Sequence, residues 1–265
     1  MKKYEGYMIC TDLDGTMLNA EHVISEENKR AVLHFMEEGG IFTVATGRTP
    51  IAITPIFNEF LPNAPIVTHN GAAVYDLAND SYLAVEGLDN EAIEVMEYVE
   101  RNFGSSGFEV YDHSDIYCYK PNKSVEWHLN IENIPLVEKD YRDIPMPWTK
   151  AMFVQTEEQT NILREHMIAT DFADRYSFIR SSRFFLECVS KNASKGSAML
   201  KIKSMLPKPI HTAIGVGDNE NDISLLKAAD ISYAVENAID ELKRVAMRIT
   251  VRNREHAIAR IIEEI

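Results

Sequence analysis

Tyr7-Met8-Ile9-Cys10 runs, across Thr11, into Asp12-Leu13-Asp14-Gly15-Thr16, and this junction decides how the rest of the chain is read. A short unbroken apolar run closed by a turn signal is the pattern of a buried strand. In an open α/β sheet the crevice beyond the carboxyl ends of the strands is where ligands bind, so two carboxylates there point to chemistry rather than packing. Gly15 permits the sharp turn that aims them into the crevice. An ordinary acidic turn after a strand has the same composition, and the functional reading therefore depends on what other segments bring to the same edge.

Working outward, Ser25 can cap a helix with Glu26 and Glu27 in its first turn and Ala31, Val32, Phe35 and Met36 at helical spacing; Gly39-Gly40 end it. Ile41-Phe42-Thr43-Val44-Ala45 reads as a strand and delivers Thr46-Gly47-Arg48 to its end. Pro65 to Thr68 and Ala72 to Tyr75 read as strands joined at Asn70-Gly71, a hairpin signal. Between residues 84 and 188 helical stretches (90–102, 123–133, 157–170) alternate with strand-like runs (108–111, 116–119, 151–155, 184–189), and Pro135, Pro145 and Pro147 mark a long loop. The mixture predicts an inserted α+β module. Beyond Ser190 the strand-helix rhythm returns: Ser194 caps a helix to about Met205, and 210–216 and 231–235 are strands. Residues 222–228, 239–246 and 255–264 are helical. The expected architecture is a Rossmann-like parallel-sheet core, residues 1–83 with 189–265, interrupted by an α+β domain over 84–188.

Gly217-Asp218-Asn219-Glu220-Asn221-Asp222 follows one of these late strands and opens a helix, which sets Asp218 and Asp222 on one helical face. Asp12, Asp14 and Asp218 together offer hard oxygen ligands of the kind Mg²⁺ takes, one or two carboxylates beside substrate phosphate. Lys195, just after the cap Ser194, sits where its ammonium and the free N–H groups of a helix start can address one anion.

Composition limits the partners. A formal net charge of −14 repels a phosphate backbone, so nucleic acid is not expected. No apolar stretch reaches the roughly 18 residues that span a bilayer, and Met1 to Gly6 lead into too short an apolar run for a signal peptide. A cytoplasmic protein without membrane contact is expected. Cys10, Cys118 and Cys188, each among strand-like apolar neighbours, are expected to be buried free thiols. Oligomeric state is not legible.

Taken in order, the four polar segments resemble those of the haloacid dehalogenase superfamily, in its Cof-type branch with an inserted α/β cap domain. Asp12-Leu13-Asp14-Gly15-Thr16 resembles the first motif, Thr46-Gly47-Arg48 the second, Lys195-Gly196 the third, and Gly217-Asp218 through Asn221-Asp222 the fourth. Thr68 to Asp76 is similar to the branch's Asn-Gly-Ala segment and Ala234 to Ala238 to its late Ala-x-x-Asn-Ala element, whereas Glu236 and His256-Ala257-Ile258 depart from the pattern.

The resemblance implies a Mg²⁺-dependent phosphatase acting on a small phosphorylated metabolite, such as a sugar phosphate or phosphorylated cofactor. Asp12 would attack phosphorus to form an aspartyl-phosphate and Asp14 would serve as general acid and base. The metal would be held by Asp12, Asp14 and Asp218 with Asp222 behind them. The backbone at Leu13 and Gly47, the Thr46 hydroxyl, Lys195 and Asn221 would hold the phosphate. Four ionised carboxylates against one lysine and one divalent cation leave a negative excess before the substrate arrives, and like-charge crowding raises a carboxyl's pKa, so Asp14 is expected to carry the compensating proton. Arg48 is left without a role. Arg180, Arg183, His113 and Tyr111 are read as solvated or packed. A sugar phosphomutase of the same superfamily, or a silent phosphometabolite-binding protein, remains open as an alternative. Intact Asp12, Asp14, Lys195 and Asp218 argue against the silent form.

Overall fold

A computed structural model describes residues 2–112, 115–132 and 134–265. The chain divides into two compact units, 1–84 with 194–265, and 85–193. Its strands are, in order, β1 (Tyr7–Thr11), β2 (Ile41–Val44), β3 (Ile66–Thr68), β4 (Ala73–Asp76), β5 (Ser81–Val85), β6 (Gly107–Tyr111), β7 (Ile116–Tyr119), β8 (Lys150–Val154), β9 (Tyr176–Ser182), β10 (Phe185–Ser190), β11 (Thr212–Gly217), β12 (Ile231–Ala234) and β13 (Arg248–Ile249).

The first unit is built on a parallel sheet of order β13-β12-β11-β1-β2, and a bridge from Ala45 to Val67 leads on to β3. A central parallel strand is covered on both faces and is therefore apolar throughout rather than alternating. In β1, Ile9 packs with Phe35, Phe42, Ile214 and Ile261 on one side, while Met8 and Cys10 pack with Met199, Ile202 and Ala213 on the other. The flanking helix Glu26–Glu37 is capped by the Ser25 side chain, which accepts from the Asn28 amide. The helix Lys195–Met205 starts at a reciprocal box between Ser194 and Ser197. The expected hairpin forms, β3 against β4 with Thr68 opposite Ala73. Its connection is longer than a two-residue turn: His69, Asn70 and Gly71 all take left-handed φ.

The inserted unit is an antiparallel sheet of order β7-β6-β8-β10-β9. Alternation puts Phe108, Val110, Phe153 and Leu186 against the helices Ala92–Asn102 and Glu157–Ile168. The opposite face, with Tyr111 and Met152, packs on Val125 and Leu129 of the helix Lys123–Glu132. Strand β9 was not expected: only Tyr176 and Phe178 are buried in it, and the Ser and Arg residues that fill the rest dilute the apolar pattern. Asn133, at the expected end of the helix after β7, lies outside the described residues.

The parallel core with an inserted mixed module matches the expected fold class. All three cysteines are buried and free. Burial pushes the Cys10 and Cys118 thiols up to about 12, far from the thiolate a reactive cysteine needs. No helix among the described residues is long and apolar enough to cross a membrane.

Candidate active site

Strand register assembles the site. Thr11 pairs with Val216 on one side and Val44 on the other, so the residues at the ends of these three strands, Asp12, Gly217-Asp218 and Ala45-Thr46, emerge together at the carboxyl edge. The Asp12 amide still donates to Val216 O, 2.9 Å away, which fixes the first carboxylate at the last rung of the ladder. Just beyond it Gly15 turns the chain at φ +79°, and a β-carbon there would come 2.4 Å from Asp218 Oδ2. Glycine is required both for the turn and for room beside that carboxylate. Thr16 donates its hydroxyl to Asp218 Oδ1 at 3.0 Å, tying the first and fourth motifs together.

Lys195 is wholly buried and donates to Asp12 Oδ1 and to Asp222 Oδ1, both at 2.6 Å. Burial alone would push its ammonium down; the charges and hydrogen bonds of Asp12 and Asp222 reverse this and hold it protonated. The other oxygen of Asp222 accepts the Asp218 and Asn219 amides at 2.9 and 3.0 Å. Asp222 is therefore occupied on both oxygens: it orients Lys195 and shapes the turn that carries Asp218.

Asp12, Asp218 and Asp222 each bring a carboxylate oxygen within 4.8 Å of the others. Three acids, two buried and Asp218 half-buried, against one lysine leave uncompensated negative charge. Burial first, then the neighbouring carboxylates, raise Asp12 well above the usual range, with Lys195 opposing; burial and Asp222 raise Asp218 to about 7. An excess of carboxylate donors with raised proton affinity is a set that a small hard cation would satisfy. The residues present fit Mg²⁺, with Asp12 and Asp218 as the carboxylates able to face it.

Asp14 departs from expectation. It is not among the clustered acids: extended backbone at Asp14 (φ −74°, ψ 120°) leads into the Gly15 turn, and its carboxylate accepts a two-pronged pair from Arg48 Nε and Nη2, each at 2.7 Å. His22 Nδ1 is 3.5 Å away. Burial works to raise its pKa, but the Arg48 hydrogen bonds and charge, helped by His22 and Lys195, outweigh it and hold Asp14 below the ordinary carboxylate range. The expectation of a raised, proton-bearing Asp14 is thus corrected, because an arginine the sequence reading left without a role neutralises it. The crowding acts on Asp12 and Asp218 instead.

Thr46 is buried, and its hydroxyl accepts the Arg48 amide at 3.2 Å. The Leu13 side chain belongs to the core, which leaves only its backbone for a ligand. Asn221 donates to Asn70 Oδ1 at 2.9 Å, and Asn70 Nδ2 lies over Gly47, 2.9 Å from where a β-carbon would stand. Asn70 was seen only as a turn and as part of a resemblance, because Asn-Gly between strands reads first as a hairpin signal. Asn237, which donates to Gly15 O at 2.7 Å, was seen only as part of a resemblance. In the inserted unit Arg180 pairs with Glu157, Arg183 lies over the Phe184 ring and Tyr111 donates to buried Glu109. His113 lies outside the described residues.

These four segments on this sheet define a class: the chain belongs to the haloacid dehalogenase-like hydrolases, whose family pattern matches residues 9–262. Phosphatase YwpJ of Bacillus subtilis (strain 168) is 26% identical over 285 residues, covering 97% of this chain and 99% of its own. The 5-amino-6-(5-phospho-D-ribitylamino)uracil phosphatase YitU of the same organism is 24% identical, covering 97% of each chain. A haloacid dehalogenase-like hydrolase from Bacteroides thetaiotaomicron has the same fold, with a TM-score of 0.82, 25% identity and 99% of both chains covered. The resemblance drawn from the motifs and the hydrolase class are borne out.

Proposed function

We propose that this hydrolase is a Mg²⁺-dependent phosphatase of small phosphorylated metabolites that works through an aspartyl-phosphate on Asp12. The observation that carries the reading is the set of buried Asp12, Lys195 and Asp222 with half-buried Asp218 beside them, in which one carboxylate at a strand end is held by a fixed ammonium beside an acid excess. Whole-length relatives named as phosphatases support it, and the one acting on a phosphorylated ribitylaminouracil supports a small, polar phosphomonoester as substrate.

Asp12 is the nucleophile, because Lys195 pins Oδ1 and sets the direction of the carboxylate toward the open edge of the sheet. Attack forms the Asp12–phosphorus bond and breaks the bond to the ester oxygen, which leaves with a proton; water then attacks phosphorus and restores Asp12. Asp14 is the proton carrier for both halves. Its pairing with Arg48 favours the ionised form, suited to taking a proton from water, and the acid half requires that pairing to loosen. When bound by Asp12 and Asp218, Mg²⁺ would supply positive charge against the phosphate dianion. Thr46, the amides at Leu13 and Gly47, Lys195 and Asn221 hold phosphate oxygens.

The test is a panel of phosphorylated sugars, polyols and cofactors, assayed for free phosphate with Mg²⁺ and with excess chelator. Phosphate release that chelator abolishes is expected; isomerised sugar phosphate without free phosphate would turn the reading toward a mutase. Ligand binding without turnover would turn it toward a silent binding protein.

A further inference from the structure

His69, Asn70 and Gly71 take φ of +50°, +56° and +104° in succession. Side chains seldom adopt this region; asparagine and histidine tolerate it best, and two in a row persist only where the surroundings hold them. Both side chains are buried here, at 1% exposure.

What holds them is the site itself. The Asn70 amide donates to Thr46 O at 2.9 Å, and the His69 amide to Arg48 O at 3.3 Å, so the loop is stitched to the second motif. At Gly71 a β-carbon would come 2.1 Å from the Ser194 carbonyl carbon and 2.7 Å from the Lys195 nitrogen, which means that the loop backbone rests directly on the first turn of the helix bearing Lys195. The Asn70 carboxamide spans the remaining gap, with Oδ1 accepting from Asn221 and Nδ2 over Gly47.

From this juxtaposition we infer that Asn70 is a positioning residue that holds the Thr46-Gly47 edge and Asn221 in one register around the substrate phosphate. The inference rests on the phosphatase reading of the site. Asn70 acts through Asn221 and Gly47, and the left-handed backbone is the conformation that lets one short side chain reach both.

The experiment compares wild type, Asn70→Gly, Asn221→Ala and the double variant, with Mg²⁺ and a substrate that the wild type turns over. Glycine accepts the left-handed backbone, so the thermal midpoint of Asn70→Gly should fall by no more than about 4 °C, while kcat/KM falls on the order of 10- to 100-fold, the cost of a misplaced binding group. Inhibition by orthovanadate should weaken by a similar factor. The double variant should lose less than the product of the two single losses, since both remove the Asn70–Asn221 link. Asn70→Asp keeps the size and the left-handed tolerance and should lose at least as much activity; it serves if the glycine variant unfolds. Wild-type kcat/KM in the folded variants, or losses that multiply in the double variant, would overturn the inference while leaving the phosphatase reading standing. A wild type that neither releases phosphate nor responds to vanadate sinks both.

Discussion

Each unit of this molecule buries a cluster of charged and polar side chains, and the two clusters are built on opposite terms. In the inserted unit Glu109 accepts from the Tyr111 hydroxyl at 2.5 Å and lies 2.9 Å from His128 Nδ1, and Glu187 lies 3.4 Å from Lys150 Nζ, which also stands over the Tyr111 ring. Each of these two acids faces a basic side chain of its own. In the first unit three carboxylates stand beside one lysine, which donates to Asp12 and Asp222 and leaves Asp218 with the Thr16 hydroxyl and no base among the described residues. Burial of a charge is tolerable when it is paired and hydrogen-bonded, so the first arrangement is complete by itself and the second is complete only with an added cation or proton. On the proposed function, the contrast separates a cluster that holds a sheet together from one arranged to receive a ligand.

The strongest way to break the contrast is Asp12→Asn, which keeps the shape of the side chain and removes the nucleophilic charge. Turnover should fall by more than about 1,000-fold with the thermal midpoint nearly kept; retained activity would take the nucleophile role from Asp12. Lys195→Met should cost about 3–5 kcal/mol in unfolding free energy, since it strands Asp12 and Asp222 as buried uncompensated acids, and chemical denaturation would measure it. Asp14→Ala should slow the reaction by roughly 100-fold for alkyl phosphates and much less for aryl phosphates, whose leaving groups need little protonation. An equal loss across leaving groups would argue against Asp14 as the acid.

Two smaller effects sharpen the contrast from the side of the inserted unit. Glu109→Gln should cost about 1–3 kcal/mol, yet leave intact the rise in thermal midpoint that Mg²⁺ produces; Asp218→Asn should remove that rise. The smallest effect is at Glu100, which Lys120, Tyr141, Tyr119 and Arg142 hold down to about 2 from 4.5. A depressed carboxyl stabilises the fold above its unfolded pKa and loses that contribution as pH falls through the folded one. Wild type and Glu100→Gln should thus differ in thermal midpoint above about pH 5 and converge toward pH 2. A constant gap across that range would remove the ion-pair explanation.

The parallel core was legible because a strand buried on both faces announces itself locally, as Tyr7 to Cys10 and Ile41 to Ala45 do, and because polar segments at three strand ends and one helix start stood in a fixed order. Strand β9 was not, since its outer half is serine and arginine, and the positioning role proposed for Asn70 was not, since a turn explains an Asn-Gly pair before any function does. Sequence by itself determined which carboxylates stand at strand ends and that Lys195 opens a helix. Tertiary structure alone decided how they pair: Asp12 meets a lysine 183 residues away, while Asp14, two residues further along, is turned toward Arg48. The physical reason is range. An apolar run or a cap is written in neighbouring residues, but the charge state of a carboxylate is set by whichever cation the strand register and a single glycine turn bring within hydrogen-bonding distance.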